Sequence, residues 1–114
     1  MLEGLKVVEL ATYIAAPGAG GIMADWGADV IKIEPPGGDP IRQFFASVGI
    51  EGVAVNPVFE LDNRGKRGVV LDTTKEEGRA ALLKLIDGAD VFLTNVRPGG
   101  LQRSGLDHDS LQKR

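Results

Sequence analysis

Four short apolar runs, separated by turns and helical segments, restrict the fold of this chain more than any other feature. They cover residues 5–10, 28–34, 66–72 and 90–94. Runs of this length between turn residues are typical of strands that are buried on both faces. Because the strands alternate with helices, the sequence predicts an α/β fold with a Rossmann-like parallel sheet and flanking helices.

Residues 5–34 form the first β-α-β unit of this pattern. We expect its helix to run from Pro17, which suits the first turn of a helix, to about Trp26 and to end at Gly27. At helical spacing the buried face of this helix is predicted to carry Ile22, Met23 and Trp26. A crossover of this kind joins parallel strands.

A dinucleotide site is an alternative use of the same unit, because Glu34 ends the second strand where an acidic residue can bind a ribose hydroxyl. The glycines Gly18, Gly20 and Gly21 are predicted to lie within the helix and not in the turn before it. Met23 also occupies the position where that fingerprint needs glycine or alanine. We therefore favour small residues that pack the helix on the sheet, and keep a non-catalytic dinucleotide-binding module as the alternative.

The second half of the chain repeats the strand-helix pattern. Thr74 and Glu77 have the spacing of a capping box that opens a helix, and Asp87-Gly88 is expected to close it. The buried stripe of this helix is predicted to be Leu82, Leu83 and Ile86. A further helix is expected from about residue 106, with Asp107 as its cap.

The remaining connections are predicted to be irregular or short. They are an irregular segment at 35–40, a short helix near 42–46, a mobile loop at 49–57, a turn at 63–65, a break at 95–100 and a helical turn at 101–104. Glycine and proline mark most of these segments.

Two arginines, Arg97 and Arg103, follow the last strand. In an open α/β sheet ligands bind in the crevice beyond the strand ends, and guanidinium groups hold phosphate by two-point hydrogen bonding. Residues 71–74 lie at a second junction of this kind, where the free N–H groups of a helix start and two hydroxyls suit a phosphate. Solvent exposure would also explain either arginine alone, and a helix cap would also explain Thr74.

Composition excludes several functional classes. The net charge of -3 gives no general attraction to nucleic acid or to an anionic membrane, so any anion site must be local. The chain has no cysteine, and its lone His108 has no identified carboxylate partner, so neither a metal site nor a cysteine or histidine catalyst is predicted. Lys66 and Arg67 receive no firm role. No leader and no membrane span are recognised, and a cytoplasmic protein is expected.

Several stretches together resemble the family III CoA-transferases, the group that contains formyl-CoA transferase, the carnitine and bile-acid enzymes and α-methylacyl-CoA racemase. The resemblance covers residues 2–39 and 63–107, and its most specific parts are GADVIKIE (27–34), KRGVVLD (66–72) and NVRPGGLQRSGLD (95–107). It implies that residues 1–114 are the N-terminal, CoA-binding portion of a longer enzyme that forms an interlocked homodimer.

The resemblance also implies a CoA site at the strand ends, with coenzyme A or acyl-CoA as substrate and no permanently bound cofactor. The implied contact residues are Ile14, Ala15, Leu71, Asp72, Thr73, Thr74, Asn95, Val96, Arg97 and Arg103. Pro35 replaces a basic residue of many members, while Thr74 and Ile14 replace a lysine and a glutamine of some transferases. These departures argue against formyl or oxalyl specificity.

Transferases of this family use an aspartate nucleophile and pass CoA from an acyl-CoA to a carboxylic acid through covalent intermediates. In family members that aspartate lies well beyond residue 114. The resemblance therefore implies no catalytic residue in this chain and no turnover by this segment alone. A racemase or epimerase, which moves an α-proton, is the alternative within the family.

Overall fold

One four-stranded parallel sheet forms the centre of the computed structural model, which describes all residues from 1 to 114. The strands are β1 (Lys6–Leu10), β2 (Asp29–Glu34), β3 (Arg67–Val70) and β4 (Val91–Thr94). Their spatial order is β3-β2-β1-β4, so the chain moves outward from β1 in one direction and then returns to its other side. The predicted α/β fold with a parallel sheet is confirmed.

Six helices and a short 3-10 helix connect and cover the strands. They are α1 (Ala15–Asp25), the 3-10 helix (Pro40–Gln43), α2 (Phe44–Ser47), α3 (Pro57–Asn63), α4 (Glu76–Asp87), α5 (Pro98–Ser104) and α6 (His108–Gln112). The short helix near residues 42–46 and the N-cap of the last helix were both predicted from the sequence. Asp107 caps α6, since its carboxylate accepts the N–H of Ser110 at 3.1 Å.

The apolar core lies on both faces of the sheet. On one face Val8 and Ile33 pack with Leu82 of α4, and helices α5 and α6 add further apolar side chains. On the other face Val7 and Val30 pack beneath α1, and α3 packs against α1. The alternation of side chains along each strand explains this division, because neighbouring residues point to opposite faces.

The buried face of α1 differs from the predicted one. Ile22 and Trp26 are 45% and 49% exposed, whereas the fully buried residues of the helix are Pro17, Gly20 and Gly21. The prediction is confirmed for Met23, which packs on the core, and wrong for Ile22 and Trp26, because α1 turns its smallest residues toward β1 and α3. Gly20 would place a Cβ only 2.1 Å from Oε1 of a strand carboxylate, and Gly21 would place one 3.0 Å from a backbone oxygen of α3. This contact favours the packing interpretation of the glycines.

The start of α4 also corrects the sequence analysis. The helix begins at Glu76, and its N-cap residue Lys75 makes no side-chain capping bond. The Thr74 hydroxyl instead donates to Asp72 Oδ1 at 2.5 Å, so the predicted capping box of Thr74 and Glu77 is wrong. A nearby carboxylate competes successfully for a hydroxyl that would otherwise cap the helix. The predicted stripe is confirmed, since Leu82 is fully buried and its partners pack beside it.

Two helix starts were missed because proline was taken as a break. Helix α3 begins at Pro57, where Asn56 Oδ1 accepts the N–H groups of Val58 and Phe59, each at 3.0 Å. Helix α5 begins at Pro98, three residues before the predicted helical turn. Proline suits the first helical position, and Asn is a strong N-cap, so the Asn-Pro pair was the available signal for α3.

Gly20→Ala provides a test of the close contact between α1 and β1. The added methyl would displace the buried Glu9 carboxylate, which is 0% exposed and pairs with Lys66 Nζ at 2.7 Å. We expect a loss of about 3 kcal/mol in the free energy of unfolding, measured by urea denaturation. Gly18→Ala is the matched control, because its Cβ would make an ordinary 3.5 Å contact. The control should be neutral or stabilised by up to about 1 kcal/mol, and equal stability of the two variants would contradict the assignment.

Candidate functional site

A cleft of about 350 Å³ opens at the carboxyl ends of the strands, on the face covered by α4 and α5. Apolar side chains form most of its lining: Leu10, Ala11, Ile33, Pro35, Leu71, Leu82, Val96, Leu101 and Leu106. Thr12, Thr73, Arg79 and Ser104 add polar groups. An apolar cleft with a few polar groups at the strand ends of an open α/β sheet is the usual form of a small-molecule site.

The structure brings only part of the predicted set to this cleft. Leu71, Thr73 and Val96 line it. Ile14 and Ala15 lie outside its lining, exposed at the start of α1. The other predicted residues occupy the adjoining turns after β3 and β4 and the short helix α5: Asp72, Thr74, Asn95, Arg97 and Arg103.

Asn95 joins two strand-end loops. Its side-chain oxygen accepts the N–H of Thr12 at 3.1 Å, and its side-chain nitrogen donates to the carbonyl of Thr12 at 2.7 Å. The amide therefore behaves as a surrogate strand partner between the ends of β1 and β4. These two hydrogen bonds fix both loops, and they leave one N–H and one oxygen lone pair of the exposed amide unused.

Arg97 and Arg103 are the arginines whose side chains make no hydrogen bond or ion pair. Both are exposed, at the first and last turns of α5. Every other arginine has a carboxylate or carbonyl partner: Arg42, Arg64, Arg67, Arg79 and Arg114. Neither arginine lines the cleft, but both lie next to residues that do, and neither guanidinium is used inside the protein.

The turn after β3 presents a negative charge. Hydrogen bonds from the Thr74 hydroxyl and the Thr74 N–H lower the pKa of Asp72, which keeps this carboxyl ionised. Because this ionised carboxylate lies just before the start of α4 and accepts the Thr74 N–H, a phosphate there would meet a like charge. Asp72 is better suited to accept a hydrogen bond from a hydroxyl, and phosphate is better suited to the arginines of α5.

Arg79 was not identified from the sequence. Its guanidinium donates to the Ser104 carbonyl from Nε at 3.1 Å and from Nη2 at 2.6 Å, which ties α4 to the end of α5. Gly105 is required at this point, because it has φ +67° and an added Cβ would lie 2.7 Å from Arg79 Nη2. A single arginine within an amphipathic helix gives no distinguishing signal, so the sequence could not separate it from a surface residue.

A cluster of buried charges lies behind the strand ends, beneath α1. Lys32 Nζ is 3.0 Å from Glu9 Oε2 and 3.0 Å from Asp39 Oδ2, and Lys66 Nζ is 2.7 Å from Glu9 Oε1. Burial lowers the pKa of Lys66, while the Glu9 carboxylate opposes that change. The two ammonium and two carboxylate groups balance in charge, which is the condition for burying them. Lys66, which had no assigned role, thus belongs to the internal framework.

Glu34 extends this framework to the surface. Arg42 donates to its carboxylate from Nε and from Nη2, each at 2.8 Å, and the guanidinium lies 3.7 Å from the centre of the Phe59 ring. Hydrogen bonding to Arg42 lowers the pKa of Glu34 despite its burial. The pair holds the 3-10 helix after β2 against α3.

The side chains of the chain form no group of three or more His, Asp and Glu arranged to hold a metal ion. No helix is both long enough and apolar enough to cross a membrane.

The sequence matches the family model described as CoA-transferase family III over residues 2–114. The chain belongs to CoA-transferase family III. It is 45% identical over 115 residues to (R)-2-hydroxy-4-methylpentanoate CoA-transferase of Clostridioides difficile. The matched region covers 98% of this chain and 28% of that relative. It is 43% identical over 115 residues to cinnamoyl-CoA:phenyllactate CoA-transferase of Clostridium sporogenes, covering 100% of this chain and 28% of that relative.

Solved structures agree with this family assignment. A crystal structure of a CAIB/BAIF family protein from Brucella suis superposes with a TM-score of 0.87 at 44% identity, over 98% of this chain and 30% of that one. The family III chain therefore spans about 28% of the length of the curated relatives described above.

Low pH should reduce the stability of this family III chain, because Glu34 becomes protonated. A carboxyl whose pKa is lowered by folding contributes stability above its ordinary value, here 4.5, and loses that contribution as the pH falls through the lowered value. We therefore expect the stability difference between the parent and Glu34→Gln to be constant from neutral pH down to 4.5 and to shrink below it. Thermal melting across pH measures this difference. Glu51→Gln, at an exposed loop position, is the control and should follow the parental profile.

Proposed function

We propose that this chain is the N-terminal CoA-binding portion of an enzyme that moves CoA between carboxylic acids. The family match over residues 2–114 and the CoA-transferase relatives support the reaction class. The observation that carries the ligand assignment is the position of Arg97 and Arg103, two guanidinium groups without protein partners beside an apolar cleft at the strand ends.

The ligand and the site match in shape and charge. CoA combines a flat adenine ring with a ribose and several phosphates. The apolar cleft of about 350 Å³ suits the ring, while Arg97 and Arg103 suit the phosphates through two-point hydrogen bonds. The Asp72 carboxylate and the Thr73 hydroxyl suit the ribose hydroxyl groups, because both can accept a hydrogen bond. Ile14 and Ala15 lie outside the cleft lining, and we assign them to a more distant part of the CoA molecule.

The transfer itself needs a nucleophile that residues 1–114 do not supply. An aspartate carboxylate attacks the thioester carbonyl of the donor, forming a mixed anhydride as the CoA thiolate leaves. The thiolate then attacks the aspartyl carbonyl, which releases the donor acid and leaves an aspartyl thioester. The acceptor carboxylate then attacks the aspartyl thioester and releases CoA, which forms a new mixed anhydride. The CoA thiolate attacks the acceptor's carbonyl in that anhydride, which gives the new acyl-CoA and frees the aspartate. The isolated segment is accordingly expected to bind CoA without turning over.

The complete protein is proposed to be an interlocked homodimer. Several large apolar side chains of this chain are exposed, including Trp26 at 49%, Leu61 at 65% and Val70 at 65%. Further residues of the protein and of a second copy would cover such positions. Light scattering of the complete protein measures its mass, and a monomer with full activity would contradict this assembly.

Replacing the arginines tests the ligand assignment. We expect Arg97→Ala and Arg103→Ala each to weaken CoA binding by about tenfold, since each removes a charge-assisted hydrogen bond to phosphate. Calorimetry with CoA and with NAD measures the affinities, and tighter binding of NAD would replace this proposal by the dinucleotide alternative. Arg67→Ala is the control, because Arg67 is paired with Asp29 at 2.7 Å and lies at the opposite end of the sheet. Equal losses in all three variants would exclude a specific role for the arginines.

Chemical trapping on the complete enzyme separates a transferase from a racemase. Incubation with an acyl-CoA followed by hydroxylamine or borohydride should give an adduct at one aspartate outside residues 1–114, as the aspartyl thioester requires. Mass spectrometry locates it. Exchange of the α-proton for deuterium without any adduct is the racemase result and would overturn the transferase assignment.

A further inference from the structure

The loop between β1 and α1 has an unusual backbone conformation. Tyr13 has φ +65°, and it is the only residue other than glycine with a positive φ. A side chain in this left-handed conformation is strained by the contact of its Cβ with the backbone. Such strain persists only where neighbouring groups enforce it. Its side chain is 52% exposed, so packing of the ring does not supply that enforcement.

Three side chains from other parts of the fold hold the loop by its backbone. Lys32 Nζ donates to the Ala11 carbonyl at 3.2 Å, and Asn95 exchanges two hydrogen bonds with Thr12. Asp39 Oδ1 accepts the Tyr13 N–H at 3.1 Å. Ala11, Thr12 and Tyr13 are thus held, in that order, by a residue of β2, by one that follows β4 and by one in the turn after β2.

Asp39 is built to serve as a fixed acceptor. Its side chain is 1% exposed, and Oδ1 also accepts the Ile41 N–H at 3.0 Å. Its second oxygen lies 3.0 Å from Lys32 Nζ, and its own N–H donates to Glu34 Oε2 at 2.7 Å. The contacts of its two oxygens limit the rotation of the carboxylate, and the bond from its N–H fixes the backbone that carries it. The Asp39 oxygen that accepts the Tyr13 N–H is therefore held in one position.

We propose that Asp39 is a positioning residue, which holds Tyr13 in the left-handed conformation and thereby sets the backbone of Ile14 and Ala15 for CoA. The role rests on the proposed CoA site, because Ile14 and Ala15 belong to the residues assigned to it. Asp39 itself is buried behind the loop and acts on CoA only through Tyr13.

Substitution of Tyr13 tests the loop without disturbing the buried charges. Tyr13→Gly removes the strain and should bind CoA within about threefold of the parent, because glycine adopts this conformation freely. Tyr13→Val should weaken CoA binding by about tenfold, because a β-branched residue is disfavoured at positive φ. Both variants lack the phenol, so any contact of the ring with CoA cancels in the comparison. Equal affinities for CoA in calorimetry would overturn the proposal.

Substitution of Asp39 tests the hydrogen bond. In the complete protein Asp39→Ala should weaken CoA binding by about tenfold, and Asp39→Asn, which keeps an oxygen acceptor for Tyr13, by no more than about threefold. Adding Tyr13→Gly to Asp39→Ala should restore most of the affinity. Asp29→Ala, a carboxylate at the other end of β2, is the matched control for loss of an ion pair. The proposal would be contradicted by a folded Asp39→Ala variant with parental affinity for CoA. It would also be contradicted if the double variant recovered no affinity.

Hydrogen exchange separates this inference from the CoA assignment. Deuterium uptake by the peptide that contains Tyr13 should rise in Asp39→Ala, and by more than uptake across β1, which the loss of a Lys32 partner also destabilises. Faster exchange with no CoA binding by the parent would retain the loop role and reject the CoA site. Unchanged exchange in a folded variant would reject the loop role. If Asp39→Ala does not fold, the pair of Tyr13 variants decides the question.

Discussion

The ion pairs of Lys32 beneath α1 are the interaction on which the rest of the structure depends. The Lys32 ammonium lies 3.0 Å from oxygens of both Glu9 and Asp39, and each of the three residues is 2% exposed or less. Removing one partner from a buried pair costs about 3–5 kcal/mol, so each group requires the others. Gly20 must then lack a side chain, and Lys66 must reach Glu9 from the chain just before β3. One set of charges thus fixes β1, β2, α1 and the entry to β3 together.

The sheet could be predicted from the sequence, because burial on both faces requires consecutive apolar residues. Since parallel strands end at the same edge, the chain order also predicted that Leu71, Asn95 and Arg97 lie at one end of the sheet, although β3 and β4 are its two outer strands. The buried charges could not be found in this way. Glu9 and Lys32 resemble polar residues of half-exposed strands, and only the register, which pairs them across β1 and β2, shows that they face each other.

The errors at element boundaries have two different physical causes. Thr74 has the spacing of a helix cap, yet its hydroxyl donates to Asp72, a partner that the spacing rule does not consider. The start of α3 was missed for the opposite reason, because Asn56 and Pro57 were treated as loop residues although together they favour a helix start. The involvement of Arg79 at the cleft depends on the position of Ser104 in another helix, which no local pattern contains.

The distribution of paired charges explains how an acidic chain can present a cationic site. Most basic side chains are neutralised close by, whether inside the protein, as Lys32 and Lys66 are, or at the surface, as Arg67 is by Asp29. Fields from such pairs fall off quickly with distance, and salt screens the exposed ones further. The guanidinium groups of Arg97 and Arg103 have no such partner, and they follow the end of β4, whereas the Asp72 carboxylate follows the end of β3. The basic side chains thus divide into two groups, those that pair with carboxylates in the framework and the two unpaired arginines beyond β4. The first fixes the loops at the strand ends, and the second is the charge that the proposed polyanionic ligand would use.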